Sequence, residues 1–184
     1  MTMSIRPRAD TRPVPVVIAL GSNLGDRGHR LREAVTRIGG AIRPVRISSV
    51  WQTAPVDSPP GSPEFLNAVV LGTTRLGPHE LLGRLAAIEK SMGRVRSTPN
   101  APRPIDIDLI LYGAALLRTG SLTIPHPRYR EREFVLAPLR ELNLPWIDPV
   151  SGDPLSGLRG SGQVETVAKG WRATCPSPRW RNRR

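Results

Sequence analysis

Two aspartates, Asp106 and Asp108, stand one residue apart in the stretch Arg103-Pro104-Ile105-Asp106-Ile107-Asp108-Leu109-Ile110-Leu111-Tyr112. β-Branched and aliphatic residues recur through it and prolines fence its start, which is the pattern of a strand. Strand side chains alternate faces, so both carboxylates point one way while Ile105, Ile107 and Leu109 point the other. Like charges held side by side repel each other. A divalent cation relieves that repulsion, and hard oxygen donors suit Mg²⁺. Taken alone, the pair reads equally well as the solvated face of an antiparallel edge strand. The residues before it favour the metal: Arg94, Arg96 and Arg103 fall in a loop punctuated by Pro99, Pro102 and Pro104. Metal-binding acids beside loop arginines are the parts that a nucleoside triphosphate site requires.

Such residues need a scaffold, and the chain before them supplies one. Val14 to Leu20 is an apolar run ending at Gly21-Ser22-Asn23-Leu24-Gly25-Asp26, a buried strand followed by a turn. Leu31, Ala34, Val35 and Ile38 then keep helical spacing until Gly39-Gly40 stops the helix. Ile42 to Trp51 alternates as a second strand, 53–64 is a proline-rich loop, and Phe65 to Thr73 is a third strand. Pro78 to Met92 is a second helix with Leu81, Leu82, Leu85 and Ile88 as its stripe, ended by Gly93. After the acidic strand, 114–124 reads as a small hairpin and Glu131 to Glu141 as a short helix. The order strand, helix, two strands, helix, strand predicts an α+β ferredoxin-like sandwich: an antiparallel sheet with helices packed on its face and long active-site loops.

Three further motifs carry candidate chemistry. Gly21-Ser22-Asn23-Leu24-Gly25 could cradle a phosphate, but it lacks the Gly-Lys-Ser/Thr end of a P-loop and the dinucleotide fingerprint spacing. A tight strand-to-helix turn accounts for it more simply, and its distance from Asp106 and Asp108 argues against a polymerase-β-type nucleotidyltransferase. His126 lies between Pro125 and Pro127, with Arg128, Arg130 and Arg132 close behind. Without a His or Cys partner nearby a zinc site has no support; a structural role and a donor toward phosphate both stay open. Phe65 and Asn67 share a strand face, offering stacking plus amide hydrogen bonds to a flat heterocycle. No Ser-His-Asp or Cys-His pattern suggests covalent catalysis.

In order along the chain, these motifs resemble those of the 6-hydroxymethyl-7,8-dihydropterin pyrophosphokinases. The resemblance runs from about Val16 to Leu142. It is carried by Ile18-Ala19-Leu20-Gly21-Ser22-Asn23-Leu24-Gly25-Asp26, by Ser48-Ser49-Val50-Trp51-Gln52-Thr53-Ala54-Pro55 with Phe65-Leu66-Asn67-Ala68, and by Ile88-Glu89 with Gly93-Arg94-Val95-Arg96. Ala101-Pro102-Arg103-Pro104-Ile105-Asp106-Ile107-Asp108, Ile124-Pro125-His126-Pro127 and Arg132-Glu133-Phe134-Val135-Leu136 complete it. The resemblance implies transfer of diphosphate from ATP to the pterin hydroxyl in folate biosynthesis, releasing AMP. It implies two Mg²⁺ ions on Asp106 and Asp108, with Arg94 and Arg103 closing on the phosphates as catalytic residues. Glu89, Arg94, Arg96, Arg103, His126 and Arg132 would serve ATP. Thr53, Val56, Phe65, Asn67, Asp106 and Phe134 would hold the pterin, the two phenylalanines sandwiching its ring.

Composition sets the outer bounds. The single cysteine, Cys175, rules out an intramolecular disulfide and fits a cytoplasmic protein. No apolar run approaches the roughly 20 residues that span a membrane. The formal net charge of +12 invites a nucleic-acid reading, and a basic ferredoxin-like RNA-binding module is the alternative class. Much of that charge sits at the ends, however: 159–184 hold seven Lys and Arg against Glu165 alone. The expected organisation is a disordered leader over 1–13, a catalytic domain over 14–158 and a basic, flexible tail over 159–184. The expected partners are small-molecule substrates only, with no membrane, no specific nucleic acid and a monomeric state.

Overall fold

A computed structural model describes residues 12–55, 60–95 and 101–168. β1 (Val14–Ser22) is apolar on both faces because it is an interior strand of a sheet covered on both sides. It pairs antiparallel with β4 (Phe65–Thr74) on one side and β5 (Asp106–Tyr112) on the other. Along the outer edge of β4 lie β2 (Arg43–Ile47) and β3 (Val50–Thr53), end to end. With α1 (Arg27–Ile38) after β1 and α2 (Pro78–Ser91) after β4, this is the ferredoxin-like α+β arrangement.

The strand expected over Ile42 to Trp51 is therefore two strands, and serines make the break. The Ser48 hydroxyl accepts from the Val69 amide at 2.9 Å while its own amide donates to the Val69 carbonyl. Ser49 turns away to Glu141, whose carboxylate accepts from the Ser49 amide and hydroxyl and from the Trp51 indole.

Local chemistry sets the helices. Asp26 caps α1 by accepting from the His29 amide at 2.9 Å, and Leu31, Ala34, Val35 and Ile38 bury its inner stripe. Pro78 opens α2, and Gly93 leaves it at φ +88, a left-handed conformation that suits glycine. These helices pack against Val16, Ile18 and Leu20 of β1 and Ile105, Ile107 and Leu109 on the β5 side. Each fully buried aliphatic side chain contributes about 2 kcal/mol. α3 (Glu133–Glu141), preceded by a 3₁₀ turn over Tyr129–Glu131, covers the opposite face through Val135, Leu136 and Leu139. The helices thus lie on both faces. α3 is short, so part of its face stays open, and Asp106 and Asp108 point into that opening.

Leu117–Arg118 and Thr123–Ile124 form the small hairpin (β6 and β7). Val164–Ala168 pairs with β3 as an eighth strand, β8, so the sheet reaches into the stretch expected as a tail. Its exposed edge position hid it, since its residues between Val164 and Ala168 are exposed and build no apolar face. No described helix is long and apolar enough to cross a membrane.

Candidate active site

Gly21 on β1 lies beside Asn67 of β4 on one side and Asp106 of β5 on the other. These three neighbours form the floor of a cleft walled by Thr53, Phe65, Arg103, Asp108, Arg128, Arg132 and Phe134. A methyl group added at Gly21 would sit 3.2 Å from the Asn67 amide oxygen and 3.8 Å from Cβ of Asp106. Glycine is therefore needed here for the room it leaves above the floor. Gly21→Ala should weaken binding of a flat heterocycle about tenfold and lower the melting temperature modestly, since the methyl presses on buried Asn67 and takes space from the ligand. Titration with a pterin, the ligand that the resemblance implies, checks this; unchanged affinity would show that nothing sits against Gly21.

The Gly-Ser-Asn turn itself clamps the loops around the cleft. The Ser22 hydroxyl donates to the Pro104 carbonyl at 2.7 Å. The Asn23 side chain accepts from the Arg103 amide at 2.7 Å and donates to the Pro63 carbonyl at 3.3 Å. Both residues are buried, so the motif that resembled a phosphate cradle is a tight turn that fixes the return of the arginine loop.

Asp106 is the electrostatic centre. Arg103 donates to its Oδ2 from Nε at 3.0 Å and from Nη2 at 2.7 Å, and Arg94 reaches its other oxygen. Arg94 also pairs with Glu89, a buried acid on α2. Burial works against the Asp106 charge, but Arg103 and Arg94 outweigh it and hold its carboxyl below the ordinary aspartate range. Asp108, on the same face, behaves oppositely. Burial, reinforced by the charge of Asp106, pushes it up to about 6 against the pull of Arg132, whose guanidinium lies 3.7 Å away. Burial likewise pushes Glu89 up to about 7, although Arg94 and the Ile107 amide, which donates to it at 2.7 Å, draw it down. The like-charge strain expected of the aspartate pair is therefore present, relieved at Asp106 by arginines and left standing at Asp108.

The arrangement is suited to Mg²⁺. No group of three or more His, Cys, Asp or Glu able to hold a metal occurs among the described residues. A pair of carboxylates is the donor set for an ion that keeps its waters and takes further ligands from substrate phosphates.

Opposite the acids, Asn67 is buried and its amide donates to the Thr53 hydroxyl at 2.9 Å. Phe65 faces the Arg103 guanidinium at 5.3 Å and Phe134 faces that of Arg132 at 5.5 Å. Both rings line the cleft, together with Thr53, Asn67 and Asp106. Behind Asp108 a second hollow is lined by Leu82, Ile107, Leu109, Ser121, Thr123 and His126. Burial, then Arg132, lowers His126 to about 4. Its Nδ1 accepts from the Arg128 amide at 3.2 Å, which leaves the proton on Nε2. His126 is thus a neutral donor at physiological pH. Because its folded pKa lies below the ordinary value, its contribution to stability is complete above about pH 6.5 and fades as pH falls toward 4. A ¹⁵N NMR titration should find the Nε2–H tautomer with a midpoint near 4; a midpoint at or above the ordinary histidine value would contradict it.

The structure brings together Thr53, Phe65, Asn67, Arg103, Asp106, Asp108, His126, Arg132 and Phe134 along the two hollows, and joins Arg94 and Glu89 to them only through Asp106. Val56 and Arg96 lie outside the described residues. Gly21 and Arg128 are cleft residues that sequence reasoning did not assign. Gly21 was masked by its service in a turn, and of the three alternating arginines the resemblance marked only Arg132. Glu89 did carry a signal, a carboxylate at the core spacing set by Leu81 and Leu85.

Comparison with known proteins agrees with this geometry. The model of the family described as 7,8-dihydro-6-hydroxymethylpterin-pyrophosphokinase matches residues 17–144. The 2-amino-4-hydroxy-6-hydroxymethyldihydropteridine pyrophosphokinase of Bacillus subtilis is 42% identical over 127 residues, covering 68% of this chain and 75% of that protein. The mitochondrial folate synthesis bifunctional protein of Pisum sativum is 47% identical over 133 residues, covering 72% of this chain and 26% of that protein. The chain thus spans about a quarter of the length of the plant bifunctional relatives it matches. Among solved structures, wild-type HPPK-DHPS of Plasmodium falciparum with pterin and p-hydroxybenzoate superposes with a TM-score of 0.64 at 14% identity, over 81% of this chain and 43% of that one. At that identity the likeness speaks for the fold.

Proposed function

The chain belongs to the 7,8-dihydro-6-hydroxymethylpterin-pyrophosphokinase family, and on that premise we propose that it transfers the β,γ-diphosphate of ATP to the hydroxymethyl oxygen of 6-hydroxymethyl-7,8-dihydropterin, releasing AMP for folate synthesis. One observation carries the reading: a carboxylate pair ringed by arginines faces an aromatic and amide pocket across one glycine. A polyphosphate and a flat heterocycle can therefore meet above the same floor.

In this reading the pterin ring lies between Phe65 and Phe134, with Asn67 and Thr53 hydrogen-bonding its edge. Glu89, Arg94, Arg96, Arg103, His126 and Arg132 serve ATP, the hollow behind Asp108 taking the nucleoside. Asp106 and Asp108 would hold two Mg²⁺ ions, which when bound neutralise the triphosphate and polarise the attacked phosphorus. The acceptor oxygen bonds to the β-phosphorus as the α–β bridge breaks and AMP departs. Arg94 and Arg103 pair with phosphate oxygens and exclude water, and His126 donates from Nε2 without adding charge. Val56 is assigned to the pterin by the family resemblance alone. The proposal extends to a monomer acting in the cytoplasm, where lone Cys175 needs no oxidising compartment. A dimer mass in light scattering would remove the monomer from it.

The test is product identity. With ATP, Mg²⁺ and the hydroxymethyl dihydropterin, the protein should form AMP one-for-one with pterin consumed. Formation of ADP, or no turnover, would contradict the proposal.

A further inference from the structure

Asp148 is fully buried, far along the chain from the acids of the cleft, and its carboxylate has an unusual number of donors. The Tyr129 hydroxyl donates to Oδ1 at 2.6 Å, and Arg130 donates from Nε to Oδ2 and from Nη2 to Oδ1. The Ser151 hydroxyl adds a bond at 2.9 Å, and the amides of Val150 and Ser151 add two more at 3.2 and 3.3 Å. Its backbone is closed as well: the Asp148 amide donates to the Asp153 carbonyl at 2.8 Å, and the Gly152 amide donates back to the Asp148 carbonyl at 2.9 Å. Burial opposes the charge, but Arg130 and Tyr129 hold the carboxyl far below the ordinary aspartate range, so it is ionised at any physiological pH.

What this anchor grips matters. Tyr129 and Arg130 form the 3₁₀ turn flanked by Arg128 on one side and Arg132 on the other, and both flanking arginines line the cleft. The Arg130 guanidinium also lies over the Tyr129 ring at 5.1 Å, tying the two gripped residues to each other. A second strap holds the far end of the turn: the Ser161 amide donates to the Glu131 carbonyl at 2.9 Å and the Glu133 amide to the Ser161 carbonyl at 3.2 Å. Gly160 passes so close that a Cβ there would lie 2.6 Å from the Glu133 amide nitrogen. The family match stops at residue 144, so Asp148, Gly160 and Ser161 all act from outside it.

We propose that Asp148 is a positioning residue for the polyphosphate subsite: by gripping Tyr129 and Arg130 it fixes the backbone from which Arg128 and Arg132 reach over the cleft. This rests on the pyrophosphokinase reading. An arginine on a fixed backbone loses less freedom when it closes on phosphate, so the anchor is felt as nucleotide affinity. The pterin pocket takes Thr53, Phe65 and Asn67 from β3 and β4, away from the gripped turn, and only Phe134 from the start of α3 beyond it, so the nucleotide side carries most of the effect.

Titration calorimetry of the full chain with α,β-methylene-ATP in excess Mg²⁺, and separately with the pterin, tests this on wild type and Asp148→Asn. The nucleotide Kd should rise on the order of tenfold, as when other supporting partners of ligand-binding side chains are removed, and at least five times more than the pterin Kd. Equal weakening of both ligands, or unchanged affinities with only a lower melting temperature, would overturn the proposal and leave Asp148 a fold residue. Should Asp148→Asn fail to fold, Tyr129→Phe removes one bond to the same carboxylate and keeps the ring. It should weaken nucleotide about threefold, and an unchanged nucleotide Kd there would overturn the proposal equally. If wild type itself binds no nucleotide, the pyrophosphokinase reading is what fails.

Discussion

Asp106→Ala should leave a folded protein whose turnover has fallen roughly a thousandfold or more. The size follows from two losses at one carboxylate. In the proposed reading Asp106 is half of the donor pair for Mg²⁺, and charge stabilisation by a metal at a phosphoryl group is worth several kcal/mol, each 1.36 kcal/mol being about tenfold in rate. It is also the group on which Arg94 and Arg103 converge, so its removal turns two pre-placed guanidinium groups into like charges facing each other. That second loss costs stability too, about 1 to 3 kcal/mol, because a partly buried ion pair has lost one member. Its depressed pKa places that stabilisation above the ordinary aspartate range, to be lost in acid as pH falls through the folded value. Asp106→Asn keeps the shape and one acceptor for Arg103 but loses the charge and turns an amide donor toward Arg94, so it should be nearly as inactive and recover only part of the stability. Steady-state AMP formation and a melting curve check both variants. Normal turnover in either would refute the assignment of Asp106 to the metal.

Arg94→Ala should lower kcat roughly a hundredfold or more while pterin affinity stays within about twofold, because phosphate-pairing arginines act on developing charge. The structure makes this selective. Arg94 touches Glu89 and Asp106 and does not line the cleft walled by Thr53, Phe65 and Asn67. Arg103 differs: it pairs with Asp106 and also covers the Phe65 ring. Arg103→Ala should therefore damage both kcat and pterin affinity. Pre-steady-state turnover and equilibrium titration of the pterin distinguish the two, and identical profiles would mean that the arginines do not divide the work as their contacts indicate.

Much of this was legible in the sequence because short-range physics writes it there. Alternation in β5 put Asp106 and Asp108 on one face, and the structure keeps them there. Helical spacing found Leu31, Ala34, Val35 and Ile38 of α1 and Leu81 and Leu85 of α2, all buried. Harder to read were features that depend on contacts distant along the chain. The break at Ser48-Ser49 exists because Val69 and Glu141 supply partners that no local pattern announces. β8 is an edge strand with exposed side chains, so its hydropathy looks like that of a tail. α3 follows its expected sequence, but which face of the sheet it covers depends on how the chain crosses after β7. Gly21 announced a turn and concealed the space it keeps above Asn67. Asp148, in Pro145-Trp146-Ile147-Asp148-Pro149, reads as one more loop acid until Tyr129 and Arg130 are seen against it.

The central claim is that a diphosphate moves in one piece to a pterin held beside Asp106 and Asp108. ³¹P NMR of the pterin product, formed from ATP and Mg²⁺, tests it most directly. Two coupled resonances on the pterin, with AMP as the only nucleotide product, are the expected result. A single uncoupled phosphorus on the pterin, with ADP in solution, would contradict it.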